Sequence, residues 1–177
     1  MDDAAVPHQI RKVFEGRVFS VVIESITTRK GGNMDVEIVR HPGSVVLVPL
    51  NAAGEVILVR QYRHAIRRSA WELPAGTLKP NEEPRKAAAR ECQEEIGLVP
   101  AQLDELGSQF PTPGYCDEEM RFYKATGLRE PGPEDENAQQ DEDEDIETQA
   151  FSIERLRSMI RSGEIIDMKT VAGVSLL

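Results

Sequence analysis

The apolar positions fall into two regimes. Up to about residue 62 they come in short β-branched runs, and over residues 81–96 they recur at helical spacing. Residues 17–28 and 34–40 read as strands of a β-rich arm beginning near residue 10, separated by the turn signal Lys30-Gly31-Gly32-Asn33. Pro42-Gly43 punctuates the chain. Residues 45–50 and 56–62 then predict a second hairpin across Asn51-Ala52-Ala53-Gly54. Their Val/Ile/Leu-rich character predicts strands covered on both faces.

Residues 81–96 predict a helix. Asn81 is placed to cap it, Pro84 is tolerated in its first turn, and Gly97 stops it. Strands are expected at 103–110 and 118–127, flanking the loop Pro111-Thr112-Pro113-Gly114, with another at 146–151. Ser152 caps a helix that ends at Gly163, and Asp167 opens a C-terminal helix. The elements interleave without a regular βαβ repeat, which predicts an α/β fold: a mixed sheet with helices on both faces.

The predicted helix at 81–96 carries a conflict. Ala88, Cys92 and Ile96 form its core stripe, while Glu91, Glu94 and Glu95 share an adjoining face. Glu91 and Glu95 are an i,i+4 like-charge pair, which destabilises a helix by roughly 0.2–0.5 kcal/mol. Glu94 and Glu95 also sit at the end where the helix dipole disfavours anions. A solvated helix would do better with lysines there. A hard divalent cation resolves the conflict, because Mg²⁺ takes oxygen ligands and is commonly shared between carboxylates and phosphates.

Composition narrows the class. The chain has 177 residues, and its net charge is 21 − 31 = −10. Nine of those acids lie in residues 134–147, which contain no Lys or Arg, so the remainder stands at 21 − 22 = −1. This balance argues against a nucleic-acid-binding surface. The apolar run at 45–50 is too short to span a membrane. The opening Met1-Asp2-Asp3 has no secretion-signal character, and Cys92 and Cys116 give no disulfide framework. A cytoplasmic setting is expected, with no membrane partner.

Gly76, then five residues, Glu82, then seven, then Arg90-Glu91-Cys92-Gln93-Glu94-Glu95-Ile96-Gly97-Leu98 resembles the Nudix box, GX5EX7REUXEEXGU, with all nine constrained positions filled. Trp71-Glu72-Leu73-Pro74-Ala75-Gly76 before it, and Thr112-Pro113-Gly114-Tyr115-Cys116-Asp117-Glu118 after it, resemble the ADP-ribose pyrophosphatase branch of the Nudix hydrolases. The resemblance implies a Nudix-type α/β/α sandwich with a mixed sheet at 44–177, preceded by a β-rich arm at 1–43.

The resemblance also implies roles. Glu91 and Glu95 would ligate Mg²⁺ (Mn²⁺ substituting) together with the backbone carbonyl of Ala75. Glu94 would be a further ligand, directly or through water. Arg90 would orient the carboxylates, and Glu82 would brace the loop around Gly76. Glu142 matches the family's general base and Glu144 an additional metal-linked acid. Arg63 matches a phosphate contact, with Arg60, three residues before it on the same strand, a second candidate cation. Glu118 matches a contact on the terminal-ribose side, within the loop that carries Gly114. Val18, with Phe19 beside it, falls where relatives stack an aromatic residue on adenine.

Three departures weigh on the substrate. Val18 is not aromatic, Val36-Glu37 stands where relatives offer arginine (with Arg40 nearby), and Cys116 replaces a small hydroxyl residue. The expected reaction is Mg²⁺-dependent hydrolysis of ADP-ribose to AMP and ribose 5-phosphate. GDP-mannose or another nucleoside diphosphate sugar is the alternative substrate. A non-catalytic nucleotide-sugar-binding regulatory module is the alternative of another class. Two strands alone are marginal in water, so the arm needs a further surface; the resemblance implies a homodimer that exchanges it.

Overall fold

The computed structural model describes residues 6–135 and 146–177. Contacts divide the chain into two compact units, Met1–Gly43 with Phe110–Glu119, and Ser44–Gln109 with Met120–Leu177.

The first unit is an antiparallel sheet of β1 (Gln9–Glu15), β2 (Ser20–Thr27) and β3 (Asn33–Arg40), with β2 central. The 110–119 loop runs beside β3: the Val39 N–H donates to Tyr115 O at 2.7 Å, and the Asp117 N–H donates to Val39 O at 3.1 Å. Arg40 fastens the two together, donating to Asp117 Oδ2 at 2.8 Å and pairing with the buried Glu24 of β2. Every residue of β1 is exposed, so β1 has no burial alternation and is the arm strand that hydrophobic patterning does not outline.

The second unit is built on β4 (Ser44–Pro49), buried along its whole length. It lies parallel to β9 (Met120–Thr126) and antiparallel to β7 (Ala75–Thr77), and β8 (Gln102–Gln109) closes the far side of β9. Strand alternation sends successive β4 residues to opposite faces. Val45 and Leu47 pack with Ala87, Ala88 and Cys92 of α1 (Pro84–Ile96). Val46 and Val48 pack with Leu156 and Met159 of α2 (Ile153–Ser162) and Val174 of α3 (Met168–Ser175). Helices therefore cover both faces of this sheet, as the residue pattern predicts. Cys92 is core, and burial pushes its thiol up to about 12.

The expected mixed sheet is present, β4 pairing parallel with β9 and antiparallel with β7, and a further sheet holds β10 (Glu147–Phe151), β5 (Val56–Arg63) and β6 (Arg68–Glu72) in the order β10-β5-β6. Two expectations are corrected. The expected hairpin of 45–50 with 56–62 reduces to one bridge, Leu50 to Val56, because β4 finds its partners in β7 and β9 while β5 finds β6 and β10. Asn81 does not cap α1. It adopts a left-handed conformation (φ 61°) in the preceding turn, a region Asn tolerates. Glu83 is the N-cap, without a side-chain hydrogen bond, and Pro84 follows it. Ser152 and Asp167 do cap α2 and α3, accepting from the backbone N–H groups of Arg155 and Thr170.

Candidate active site

The acidic face of α1 lies along the segment that runs into β7. The Ala75 N–H donates to Glu95 Oε2 at 3.1 Å. Gly76 follows, and a Cβ on it would stand 1.8 Å from the Glu91 carboxyl carbon. Glycine at 76 is therefore a requirement of the site rather than of the turn: any side chain would push the Glu91 carboxylate out of its place.

Arg90 organises the carboxylates. Its Nε and Nη2 donate to the two oxygens of Glu82 at 2.8 and 3.0 Å, while Nη1 donates to Glu91 Oε1 and Glu94 Oε2, each at 2.5 Å. Glu82 also accepts from the Lys79 N–H at 2.9 Å, so the loop after β7 is tied to α1 through one guanidinium. Burial opposes the Arg90 charge, but Glu82, Glu91 and Glu94 outweigh it and raise the pKa. The hydrogen bond from Arg90 holds the Glu82 carboxyl below the ordinary carboxylate range.

Glu91 goes the other way. Burial pushes its carboxyl up to about 7 despite Arg90. Glu91 and Glu95, one turn apart on α1, are both buried and offer hard oxygen ligands, and the missing side chain of Gly76 gives the Glu91 carboxylate its place. The donor set fits a divalent cation such as Mg²⁺. Among the described residues no three His, Cys, Asp or Glu side chains gather around one point as a closed metal cage, and Arg90 takes oxygens of Glu82, Glu91 and Glu94.

Arg63, at the end of β5, forks onto Glu72 of β6, with Nε to Oε1 at 2.9 Å and Nη2 to Oε2 at 2.7 Å. That hydrogen bonding raises the Arg63 pKa, and the charge of Glu95 contributes, so Arg63 lies within the field of the box carboxylates. Arg60 is placed differently. It lies over the Trp71 ring at 5.9 Å and reaches Glu147 of β10 at 3.3 Å, an exposed pairing.

The remaining candidates belong to the first unit. Phe19 and Val18 are exposed, with Phe19 tilted against Phe14 at 5.7 Å between ring centroids. Gly114 lines a cavity of about 390 Å³ with Val36, Ile38, Arg40, Tyr115 and Cys116. Glu118 Oε1 lies 3.8 Å from His41 Nδ1. Glu142 and Glu144 fall outside the described residues. Sequence reasoning assigned no role to Glu72, Lys169 or Thr170. Residues 167–170 gave a capping signal, but nothing local announces a lysine that closes on a residue 97 positions away.

A helix carrying REUXEEXGU, laid against β4 and β7 with its arginine braced by the upstream glutamate, defines a Nudix hydrolase. The model of the NUDIX domain matches residues 39–170, and the chain belongs to that family. An ADP-ribose pyrophosphatase of Mycobacterium tuberculosis (strain ATCC 25618 / H37Rv) is 37% identical over 161 residues, covering 90% of this chain and 76% of the relative. A methanol dehydrogenase activator of Bacillus methanolicus is 34% identical over 166 residues, covering 94% and 88%. A crystal structure of an ADP compounds hydrolase superposes with a TM-score of 0.82 over 97% of this chain and 91% of its own; at 20% identity it establishes the fold.

Gly76→Ala tests the cradle. The new methyl would displace the Glu91 carboxylate, and hydrolytic activity should fall about 10–100-fold, the loss typical of disturbing the support of a metal ligand. Gly76 does not have a left-handed φ, so circular dichroism should show the fold retained. Unchanged kcat/KM would show that the position of Glu91 does not matter.

Proposed function

We propose that this chain hydrolyses the pyrophosphate bond of a nucleoside diphosphate sugar in a Mg²⁺-dependent reaction, with ADP-ribose giving AMP and ribose 5-phosphate. The observation that carries the proposal is the Arg90 brace, which holds Glu82, Glu91 and Glu94 together on a buried helix face beside Gly76. The relative of 37% identity is an ADP-ribose pyrophosphatase, which favours ADP-ribose over GDP-mannose.

A bound divalent cation would neutralise charge on the diphosphate and acidify the attacking water. Glu91 and Glu95, with the Ala75 carbonyl and Glu94, would hold it. Arg90 aims Glu91 and Glu94 by donating to an oxygen of each. Arg63 would bind a phosphate oxygen through the part of its guanidinium not engaged with Glu72, since guanidinium is well suited to phosphate. Glu142 would take the proton from the attacking water, with Glu144 in support. Glu118 and Gly114 would contact the terminal-ribose side of the substrate. Initial rates of AMP or GMP release from ADP-ribose and GDP-mannose decide the substrate: a higher kcat/KM for ADP-ribose is expected, and the reverse order would transfer the assignment to GDP-mannose.

The second reading, a regulatory module without turnover, draws on the relative named as a methanol dehydrogenase activator. Intact Glu91, Glu94 and Glu95 favour catalysis. Turnover by the purified chain alone separates the two.

A homodimer and a cytoplasmic setting belong to the same proposal. Ile10, Val13, Phe14, Val18, Phe19 and Met34 are exposed on the first unit, 43–59% each, and a second copy exchanging residues 1–43 would cover apolar surface of this kind. Phe19 and Val18 would then serve the partner's substrate site. Light scattering at micromolar concentration should give twice the 19.7 kDa chain mass, and activity should fall on dilution. A monomer with full activity would contradict the exchange.

A further inference from the structure

Glu72 is a buried carboxylate with two cations on it. Oε2 accepts from Arg63 Nη2 at 2.7 Å and from Lys169 Nζ, while Oε1 accepts from Arg63 Nε. Burial raises the Glu72 pKa, but the Arg63 hydrogen bonds and the charge of Lys169 outweigh it and leave the carboxyl below its ordinary value. Lys169 Nζ also lies 3.1 Å from Asp167 Oδ2.

We propose that Lys169 is a positioning residue for phosphate binding: by sharing Glu72, it leaves the charge of Arg63 available to the substrate. The proposal rests on the reading of Arg63 as a phosphate contact. A lone Arg63–Glu72 pair would be neutral, and its pull on a diphosphate would be that of a dipole. Lys169 adds a second positive charge to the same carboxylate; Asp167 brings the four groups to a sum of zero, but its charge acts on Arg63 less than that of Glu72 does. The two cations differ in access, with the Lys169 side chain 9% exposed and that of Arg63 41% exposed. The solvent-facing member of the group is thus the arginine. Among the described residues its Nη1 has no hydrogen-bond partner, whereas Nε and Nη2 are fixed by Glu72.

α3 has docking contacts besides Lys169. Thr170 Oγ1 accepts from the Leu73 N–H at 2.7 Å and donates to Asp167 Oδ2 at 2.6 Å. Gly173 lets the helix approach so closely that a Cβ there would stand 2.3 Å from Leu73 Cδ1. A buried lysine costs desolvation free energy that a purely structural tie would avoid, because an apolar residue of similar size is commonly as stable. Its placement on the carboxylate that holds Arg63 accounts for that cost.

The test is a KM-against-kcat comparison with ADP-ribose and Mg²⁺. Lys169→Met keeps the straight side chain without the charge, and Lys169→Gln keeps a hydrogen-bond donor without it. Each should raise KM about tenfold, within the worth of one charge-assisted contact, and leave kcat nearly unchanged. Lys169→Arg should restore KM. On an Arg63→Gln background Lys169→Met should add little, since both act through one contact. Thr170→Val should lower the melting temperature without moving KM, which separates loosening of α3 from loss of charge. If Arg63→Gln raises KM while both neutral Lys169 variants fold and keep the wild-type value, the role of Lys169 is overturned and that of Arg63 stands. If Arg63→Gln leaves KM unchanged, the phosphate reading of Arg63 falls, and the proposal with it.

Discussion

Glu95→Gln should reduce metal-dependent hydrolysis by at least about 100-fold, the upper end of what losing even an outer-shell partner of a metal costs. The substitution keeps side-chain volume and an oxygen able to accept from the Ala75 N–H, which now donates to Glu95 Oε2 at 3.1 Å. What it removes is charge. Glu95 is buried and sits one turn from the equally buried Glu91, so the folded protein bears a like-charge pair away from water. Relieving that pair should leave the melting temperature unchanged or slightly higher. Lost turnover without lost stability marks a residue kept for function. Near-normal turnover in a folded Glu95→Gln protein would remove Glu95 from the ligand set.

Glu142→Gln should depress kcat by about 10²–10⁴-fold, the usual contribution of general acid–base catalysis. KM should move little, because a base acts on the transition state and adds little to ground-state binding. The assignment rests on the match of Glu142 to the family's base, and several acids adjoin it in the sequence. Glu144→Gln is therefore measured beside it. A large kcat loss in Glu144→Gln with none in Glu142→Gln would exchange the two roles.

The acidic face of α1 was legible because its residues violate a local rule. Three glutamates on one helix face conflict with one another and with the helix dipole, and the structure shows what they bond, Arg90 and the Ala75 N–H. Strand β4 was legible as a doubly covered strand for a similar reason: residues 45–50 have no polar face, and α1 lies on one side with α2 and α3 on the other. Pairing was not legible. The turn at Asn51–Gly54 forms, with the Gly54 N–H donating to Asn51 O at 2.9 Å, yet the strands it joins part into different sheets because their better partners lie far away in sequence. Asn81 shows the limit of a composition rule, since the residue that caps helices also favours left-handed turns. The Arg63–Glu72–Lys169 group joins β5, β6 and α3, and only the folded chain brings its members together.

The most direct measurement incubates the purified chain with ADP-ribose, in Mg²⁺ and in EDTA, and quantifies AMP and ribose 5-phosphate by chromatography. Equal amounts of the two products with Mg²⁺, and none with EDTA, are the expected result. ADP-ribose that remains intact in Mg²⁺, although calorimetry shows it bound, would contradict the account and make the chain a binding module.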